Sequence, residues 1–339
     1  MQTPEYKEIS NQNILFCVLN WGIGHATRSI PIIKTLLEQG NTITLMSDGE
    51  ASKVLIETFP DTPIVILPSY NIKYSTKISV VLKLLFQLSN IKKSIRLEHL
   101  FVSEYLRSHP TDIIISDNRY GCYSDQVSRN ILITHQLQLV HNVPFFKRIS
   151  KFILKRYVQK FDELWIPDDS ELNLSGEMAA PLFSIHKKYI GIMSAMTYRP
   201  DVAIDTKVLI LLSGPEPNRS NLERSLIHHL GSTPYKTIMV AGDYNREYEQ
   251  YTNGNFQFHS KAHRDLINQL ILQSDIVVCR SGYSTLMDLW KLKKKNILCI
   301  PTLGQLEQEY LASYLSHKFG IKTLSEKQLD SIREVIDSF

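Results

Sequence analysis

Residues 275–290, DIVVCRSGYSTLMDLW, read as a short, continuously apolar strand, a turn built on Arg280, Ser281 and Gly282, and then the start of a helix. The same grammar opens the chain: ILFCVL at 14–19 is followed by Gly22 and Gly24 in a tight turn, then a helix over 27–39 ended by Gly40. Further short apolar runs stand at 43–47, 64–67, 112–116, 131–134, 164–166 and 189–192. After 194–206, which carries Pro200 and no apolar period, a second series begins with VLILL ending at Leu212. It continues at 237–241, 256–258, 275–279 and 296–300. Strands spaced by ten or more residues of helical pattern imply right-handed crossovers and parallel sheets covered on both faces, so two α/β halves of similar build are expected. Ligands of such sheets bind beyond the carboxyl ends of the strands, which directs attention to the loops that follow them.

Composition agrees with a soluble globular chain. At 339 residues it exceeds a single core of about 100 to 200 residues. With 43% hydrophobic and 21% charged residues, it has ample apolar material for burial. A formal charge of +4 gives no basic bias of the kind a nucleic-acid partner needs. Cys17, Cys122, Cys279 and Cys299 form no CxxC pair, as in reduced thiols rather than a zinc site. The polar start MQTPEYKEISNQ lacks the order of a secretory signal, and no run approaches the roughly 20 apolar residues of a membrane span. The expected location is cytoplasmic.

The loops that follow the strands carry the candidate chemistry. In NWGIGHATRS, 20–29, Gly22 and Gly24 let the backbone approach a ligand, and the helix start offers amides to an anion. His25 and Arg28 add a titratable base and a fixed cation; the competing reading has His25 merely capping the helix. In CRSGYSTLMDLW, Ser281, Gly282, Ser284 and Thr285 supply hydroxyls and amides suited to a diphosphate. Asp288 shares the helix face of Ser284 about 6 Å further along. A carboxylate there repels phosphate but accepts hydroxyl protons, so a ribose diol is its expected partner, with a solvent-facing side chain as the alternative. In PTLGQLEQEYLA, 301–312, Gly304 opens the loop and Gln305, Glu307, Gln308 and Glu309 offer hydrogen bonds to sugar hydroxyls, unless they form only a dipole-favoured acidic first turn. SGPEPNRS, 213–220, adds Ser213, Gly214 and Arg219 to the phosphate cradle. SDNRYG and THQL, at 116–121 and 134–137, contribute Asp117, Arg119 and His135.

Together these residues resemble the MurG-like GT-B glycosyltransferases, the family of the N-acetylglucosaminyltransferase that completes the lipid-linked peptidoglycan precursor. The match is close at CRSG with an acidic residue nine positions after Cys279, and it covers both halves in order, loosely elsewhere. The resemblance implies a GT-B fold, two Rossmann-like domains facing across a cleft. Residues 1–193 are then the acceptor domain, 194–206 a linker, 207–324 the nucleotide-sugar domain, and 325–339 a helix crossing back to the first domain. It also implies that Gly24 and His25 match the glycine-rich first loop, Ser213 and Gly214 the second-domain loop, Asp288 a ribose-binding glutamate, and Gln308 a reader of donor-sugar hydroxyls. His135 and Gln136 fall at a His-Glu pair near the acceptor, and Arg28, Arg119 and Gln136 are assigned to that side. Two positions depart: the first loop is GIGHATR rather than GGTGGH, and Glu309 replaces a glutamine. The GxGHxxR form is also similar to the nucleotide-sugar hydrolases of pseudaminic acid synthesis, whose histidine activates water.

The expected reaction is inverting transfer of an N-acetylhexosamine or hexose from a UDP-sugar to a hydroxyl acceptor in cell-envelope or polysaccharide synthesis. His25, ahead of Asp117 and His135, acts as base, and Arg280, Arg219 and the amides after Gly282 stabilise departing UDP. No metal and no cofactor are expected, since no Asp-x-Asp cluster is evident. Water as acceptor is the second reading. An NAD-binding oxidoreductase or sensor is the third, because Asp48 lies 24 residues after Gly24, near the Rossmann acid spacing of about 20, although Thr27 takes the third glycine position. Pro144 to Lys160, PFFKRISKFILKRYVQK, holds six basic and no acidic residues beside an apolar side. It suits an anionic membrane surface and a lipid-linked acceptor, with a packed helix as the plainer account. Residues 79–107 read as one or two helices with a basic side.

Overall fold

Apolar runs too short for helices and covered on both faces become parallel strands, and both halves are built this way. The computed structural model describes residues 5–21, 23–69, 80–138, 152–180, 186–244 and 246–339. The first sheet comprises β1 (Asn13–Val18), β2 (Thr42–Ser47), β3 (Ile64–Ile66), β4 (Ile113–Asp117), β5 (Arg129–Ile133), β6 (Glu163–Ile166) and β7 (Lys187–Tyr189). Its order is β3-β2-β1-β4-β5-β6-β7 with every pair parallel. The second comprises β8 (Thr206–Leu211), β9 (Thr237–Val240), β10 (Gln250–Asn253), β11 (Phe256–His259), β12 (Ser274–Cys279), β13 (Ile297–Cys299) and β14 (Lys322–Thr323). Its order is β10-β11-β9-β8-β12-β13-β14, parallel except for the β10–β11 hairpin.

Helices fill the crossovers: α1 (Gly24–Glu38), α2 (Gly49–Thr58) and α3 (Val80–Leu106) in the first half, with α3 continuous where one or two helices are expected. In the second half stand α4 (Asn218–Leu230), α5 (Arg264–Gln273), α6 (Tyr283–Lys291), α7 (Leu306–Phe319) and α8 (Ile332–Asp337). The chain divides into two units, Met1–Asn173 with Glu177–Met193, and Leu174–Gly176 with Ser194–Phe339. The C-terminal helix, which the sequence reading sends back to the first domain, packs instead into the second unit. There Ile332 and Ile336 are fully buried with Val208, Leu226 and Phe256. β10 and β14 escape sequence reading because QYTN is wholly exposed and KT is two residues long, so neither presents an apolar run.

In each sheet the order turns back beside the first strand, between β1 and β4 and between β8 and β12, which opens a crevice at those strand ends. Below the first crevice lies Arg119, wholly buried just after β4. Its Nε donates to the Val18 carbonyl at 2.9 Å, its Nη1 to Glu98 Oε1 on α3 at 2.8 Å, and its Nη2 to the Asp48 carboxylate ahead of α2. Glu98 Oε2 also accepts the Gly121 N–H at 2.8 Å. Arg119 therefore does not serve the acceptor side. A guanidinium spent on two buried carboxylates and a strand end is a frame element. Arg119→Met leaves Asp48 and Glu98 buried without their cation and should lower the first unit's stability by about 3 to 5 kcal/mol, read as a fall in its urea-unfolding midpoint.

Candidate active site

Asp117 is the last residue of β4, in register with Val18 at the end of β1, and its side chain is fully buried. Three residues of α1 converge on it. His25 Nδ1 lies 3.0 Å from Oδ1, Arg28 Nε donates to Oδ2 at 2.9 Å while its Nη2 donates to Oδ1, and Ser29 Oγ donates to Oδ2 at 3.0 Å. The spacing explains this, because His25, Arg28 and Ser29 stand three and four residues apart on one face of the helix. Arg28 Nη1 continues to Nδ1 of His135, just past β5, at 3.2 Å. The structure thus gathers His25, Asp117 and His135 with Arg28. The helix-capping alternative for His25 does not hold, since its ring lies within the first turn and is turned to Asp117. Gly22 lies outside the described residues. Gln136, half-buried, donates its backbone N–H to Thr134 Oγ1 at 3.0 Å.

Charge assigns the protons. Burial alone would raise the Asp117 carboxyl, but the Arg28 guanidinium and the His25 ring more than offset it and hold it well below the usual carboxylate range. Burial, then the nearby Arg28 charge, pushes His25 below its ordinary value against the opposing pull of Asp117. A neutral His25 beside an anionic Asp117 donates from Nδ1 and keeps its lone pair on Nε2. Nε2 has no partner among the described residues, and the side chain remains 14% exposed. A guanidinium only donates, so His135 accepts at Nδ1 and carries its proton on Nε2.

In the second unit, the adjacent strands β8, β12 and β13 each lead into a glycine-bearing loop. A Cβ placed on Gly214, Gly282 or Gly304 would meet nothing within 4 Å, and Gly214 and Gly304 hold φ of +114° and +80°, which favour glycine. Gly282 caps α6, and Gln305 caps α7, in both cases without a side-chain hydrogen bond. Neither helix start is therefore closed by a capping side chain. Ser213 is exposed, and Ser284, Thr285 and Asp288 are half-buried. Asp288 Oδ1 accepts from Ser194 Oγ and lies 3.6 Å from Arg264 Nη2. Burial pushes its carboxyl up to about 6, against the pull of Arg264 and Ser194.

Several proposed ligand contacts have other work. Arg280, almost wholly buried, donates to Glu326, to the Ile300 carbonyl at 3.1 Å and to the Asn218 carbonyl at 3.3 Å. Buried Ser281 donates to the Gln308 carbonyl at 2.7 Å. Arg219 is held by Glu216, Glu223 and Asp243. These three shape the loops instead of facing a phosphate. Gln308 ties its own loop, accepting the Thr302 N–H at 2.9 Å and donating to Gln305 at 2.6 Å, while Glu309 accepts the Gly304 N–H at 2.8 Å. Glu307 is half-buried in the first turn of α7. Asp48 is taken by Arg119, Ser69 and Asn20, so it is not available as a dinucleotide ribose acid. Sequence reading missed Ser29, whose helical spacing from His25 was a usable signal, and Ser194 and Arg264, which lie too far from Asp288 in sequence to be linked to it.

Residues 216–339 match the Glycosyltransferase family 28 C-terminal domain. No curated protein matches the sequence. Among solved structures, the calicheamicin glycosyltransferase CalG4 is 14% identical, with a TM-score of 0.66 over 97% of this chain and 90% of that one. The spinosyn rhamnosyltransferase SpnG complexed with thymidine diphosphate is 11% identical, with a TM-score of 0.64 over 96% and 92%. MurG of Acinetobacter baumannii is 11% identical, with a TM-score of 0.57 over 96% and 90%. The fold is GT-B, and the domain match together with that fold supports a glycosyltransferase enzyme. Among the described residues no helix is long and apolar enough to cross a membrane.

The proton assignment can be read directly. In Asp117→Asn, His25 loses the carboxylate that favours its imidazolium, so its titration midpoint, followed by imidazole NMR, should fall further below the wild-type value and the Nδ1–H tautomer should cease to dominate.

Proposed function

We propose that this chain is an inverting, metal-independent glycosyltransferase of MurG-like type. It moves an N-acetylhexosamine or hexose from a UDP-sugar to a hydroxyl acceptor in cell-envelope or polysaccharide synthesis. The reading rests chiefly on the ordered His25–Asp117 pair, a neutral imidazole held by its Nδ1 with Nε2 left to work. As the acceptor oxygen forms its bond to the anomeric carbon, His25 Nε2 takes the hydroxyl proton and the bond from that carbon to the UDP oxygen breaks. Asp117 stays ionised, fixes the ring and stabilises the imidazolium without taking the proton. Arg28 is a positioning residue, since it touches Asp117 and His135.

The departing diphosphate is assigned to the amides after Gly282 and to the open loops at Gly214 and Gly304. Arg219 and Arg280 support these loops from behind. Asp288 takes the pentose hydroxyls, and Gln305, Glu307 and Gln308 are assigned to the sugar, the two glutamines through the hydrogen-bonding capacity that their loop contacts leave over. Amides fixed in direction can stabilise developing charge without a metal. Because burial and Arg28 keep His25 neutral, the acid limb of turnover should lie below the ordinary imidazole value of about 6.5, with activity falling as pH drops through it.

A panel of UDP-, GDP- and dTDP-sugars, scored by thermal shift and then by mass spectrometry of products, tests the reading. The spinosyn enzyme's thymidine diphosphate is the reason to include the third class. His25→Ala should lower transfer by about 100-fold or more with donor affinity unchanged. Full turnover in that variant would remove His25 as base, and free sugar released at full rate without acceptor would make water the natural acceptor.

The acceptor is assigned a lipid carrier reached at an anionic membrane surface. Of the basic stretch 144–160, residues 144–151 lie outside the described residues. Residues 152–158 are helical, with Phe152 71% exposed and Arg156 exposed. An apolar ring standing among cations on a helix surface is suited to the headgroup boundary. Co-sedimentation with phosphatidylglycerol vesicles should be strong at low salt and lost at high salt; absence of binding at low salt would remove the membrane assignment.

A further inference from the structure

Ser194 opens the segment that leads from the first unit into the second, and its hydroxyl is used twice. Oγ donates to Asp288 Oδ1 and accepts the Met196 N–H at 3.1 Å. The segment is fastened again at Thr197, whose N–H donates to Asn268 Oδ1 at 2.7 Å and whose carbonyl accepts from Asn268 Nδ2 at 3.1 Å. Arg264, on the same helix α5 as Asn268, approaches Asp288 at 3.6 Å, again at Oδ1. Both neighbours therefore claim one carboxylate oxygen. Oδ2 takes no hydrogen bond among the described residues, and 18% of the side chain remains exposed.

We propose that Ser194 is a positioning residue for donor recognition: by holding Oδ1 it turns the Asp288 carboxylate so that Oδ2 is presented to the pentose hydroxyls, which joins the seating of the connecting segment and the grip on the nucleotide into one network. The inference rests on the reading of Asp288 as the pentose acid. The torsion that carries a carboxylate is soft, so without an anchor the plane of the group swings over a broad range and the ligand must pay for ordering it. Ser194 also favours the ionised form, the better acceptor for a hydroxyl. The groups that face Asp288 from outside its own helix are Ser194 and, on α5, the Arg264 guanidinium. Removing the hydroxyl while Arg264 stays raises the carboxyl further, so donor binding should need a higher pH.

The test is calorimetric titration of the full chain with UDP-N-acetylglucosamine and UDP-glucose across pH 5 to 8, paired with carboxyl-carbon NMR of Asp288 without ligand. Ser194→Ala should bind about five- to tenfold more weakly near neutrality, as expected for one charge-assisted hydrogen bond. Its binding and NMR midpoints should both move to higher pH, and Ser194→Thr should restore them. Asn268→Ala, which cuts the neighbouring fastening but not the carboxylate contact, should leave both midpoints in place. Wild-type affinity and midpoints in Ser194→Ala would overturn the inference. If Asp288→Asn loses binding while Ser194→Ala does not, the donor reading stands and this inference alone fails. If Asp288→Asn binds as the wild type does, both fail.

Discussion

An anionic carboxylate sealed at the end of β4 governs the first unit's chemistry. Asp117 has no access to water, so its charge persists only because Arg28, His25 and Ser29 together saturate its two oxygens. Leaving a buried charge uncompensated is costly, commonly about 3 to 5 kcal/mol when one partner is removed, and that cost fixes the rotamers of the residues around it. The orientation of His25 is thus a by-product of neutralising Asp117. The Arg28 contact to His135 extends the same order, so two imidazoles receive opposite tautomers from one charge pair.

The second unit solves an electrostatic problem by other means. Its buried arginines, Arg219 and Arg280, are spent on carboxylates and carbonyls that hold the loop backbones. The proposed reading leaves the anion to the backbone: starts of α6 and α7 with no capping side chain, and three glycines with open space above them. Helix-terminal amides contribute only about 0.3 to 1 kcal/mol each at an exposed site, but they are fixed in direction and need no reorganisation when charge develops. Interior arginines stiffen that array, which is a different task from touching a ligand.

Alternation of apolar runs with helical spacing was enough to read both sheets, because a strand such as IVVC, covered on both faces, cannot hide its hydrophobicity. Strands that do not bury a face, such as QYTN, could not be read. At the site, residues whose placement depends on local backbone were legible: Gly214, Gly282 and Gly304 in loops after strands, His25 in the first turn of the helix after β1, and Asp117 at the end of β4. Arg28 stands with His25 and Asp117 as expected, whereas Arg119, Arg219 and Arg280 are held by carboxylates that the sequence did not point to. A cation in a post-strand loop looks the same in sequence whether it faces a ligand or a buried glutamate, and only partners distant in the chain, Glu98 for Arg119 and Glu326 for Arg280, decide. Ser194 and Asp288, 94 residues apart, show the same limit.

Two largely buried carboxylates, treated oppositely by their surroundings, divide the labour. Asp117 meets a full guanidinium at contact distance and is driven down, so it stays ionised and unresponsive over ordinary pH. Asp288 meets only a hydroxyl and an arginine at 3.6 Å, and burial carries it up to about 6. The sign of the linkage follows. A carboxyl raised in the folded chain contributes stability that is present below its unfolded value and lost as pH rises through about 6, so ionised Asp288 sits in a strained state near neutrality. A ligand that donates hydroxyl protons to it relieves that strain, whereas Asp117, already satisfied, has nothing to gain from one. In the proposed reading, the position that orients is saturated by the protein, and the position that binds is left one partner short.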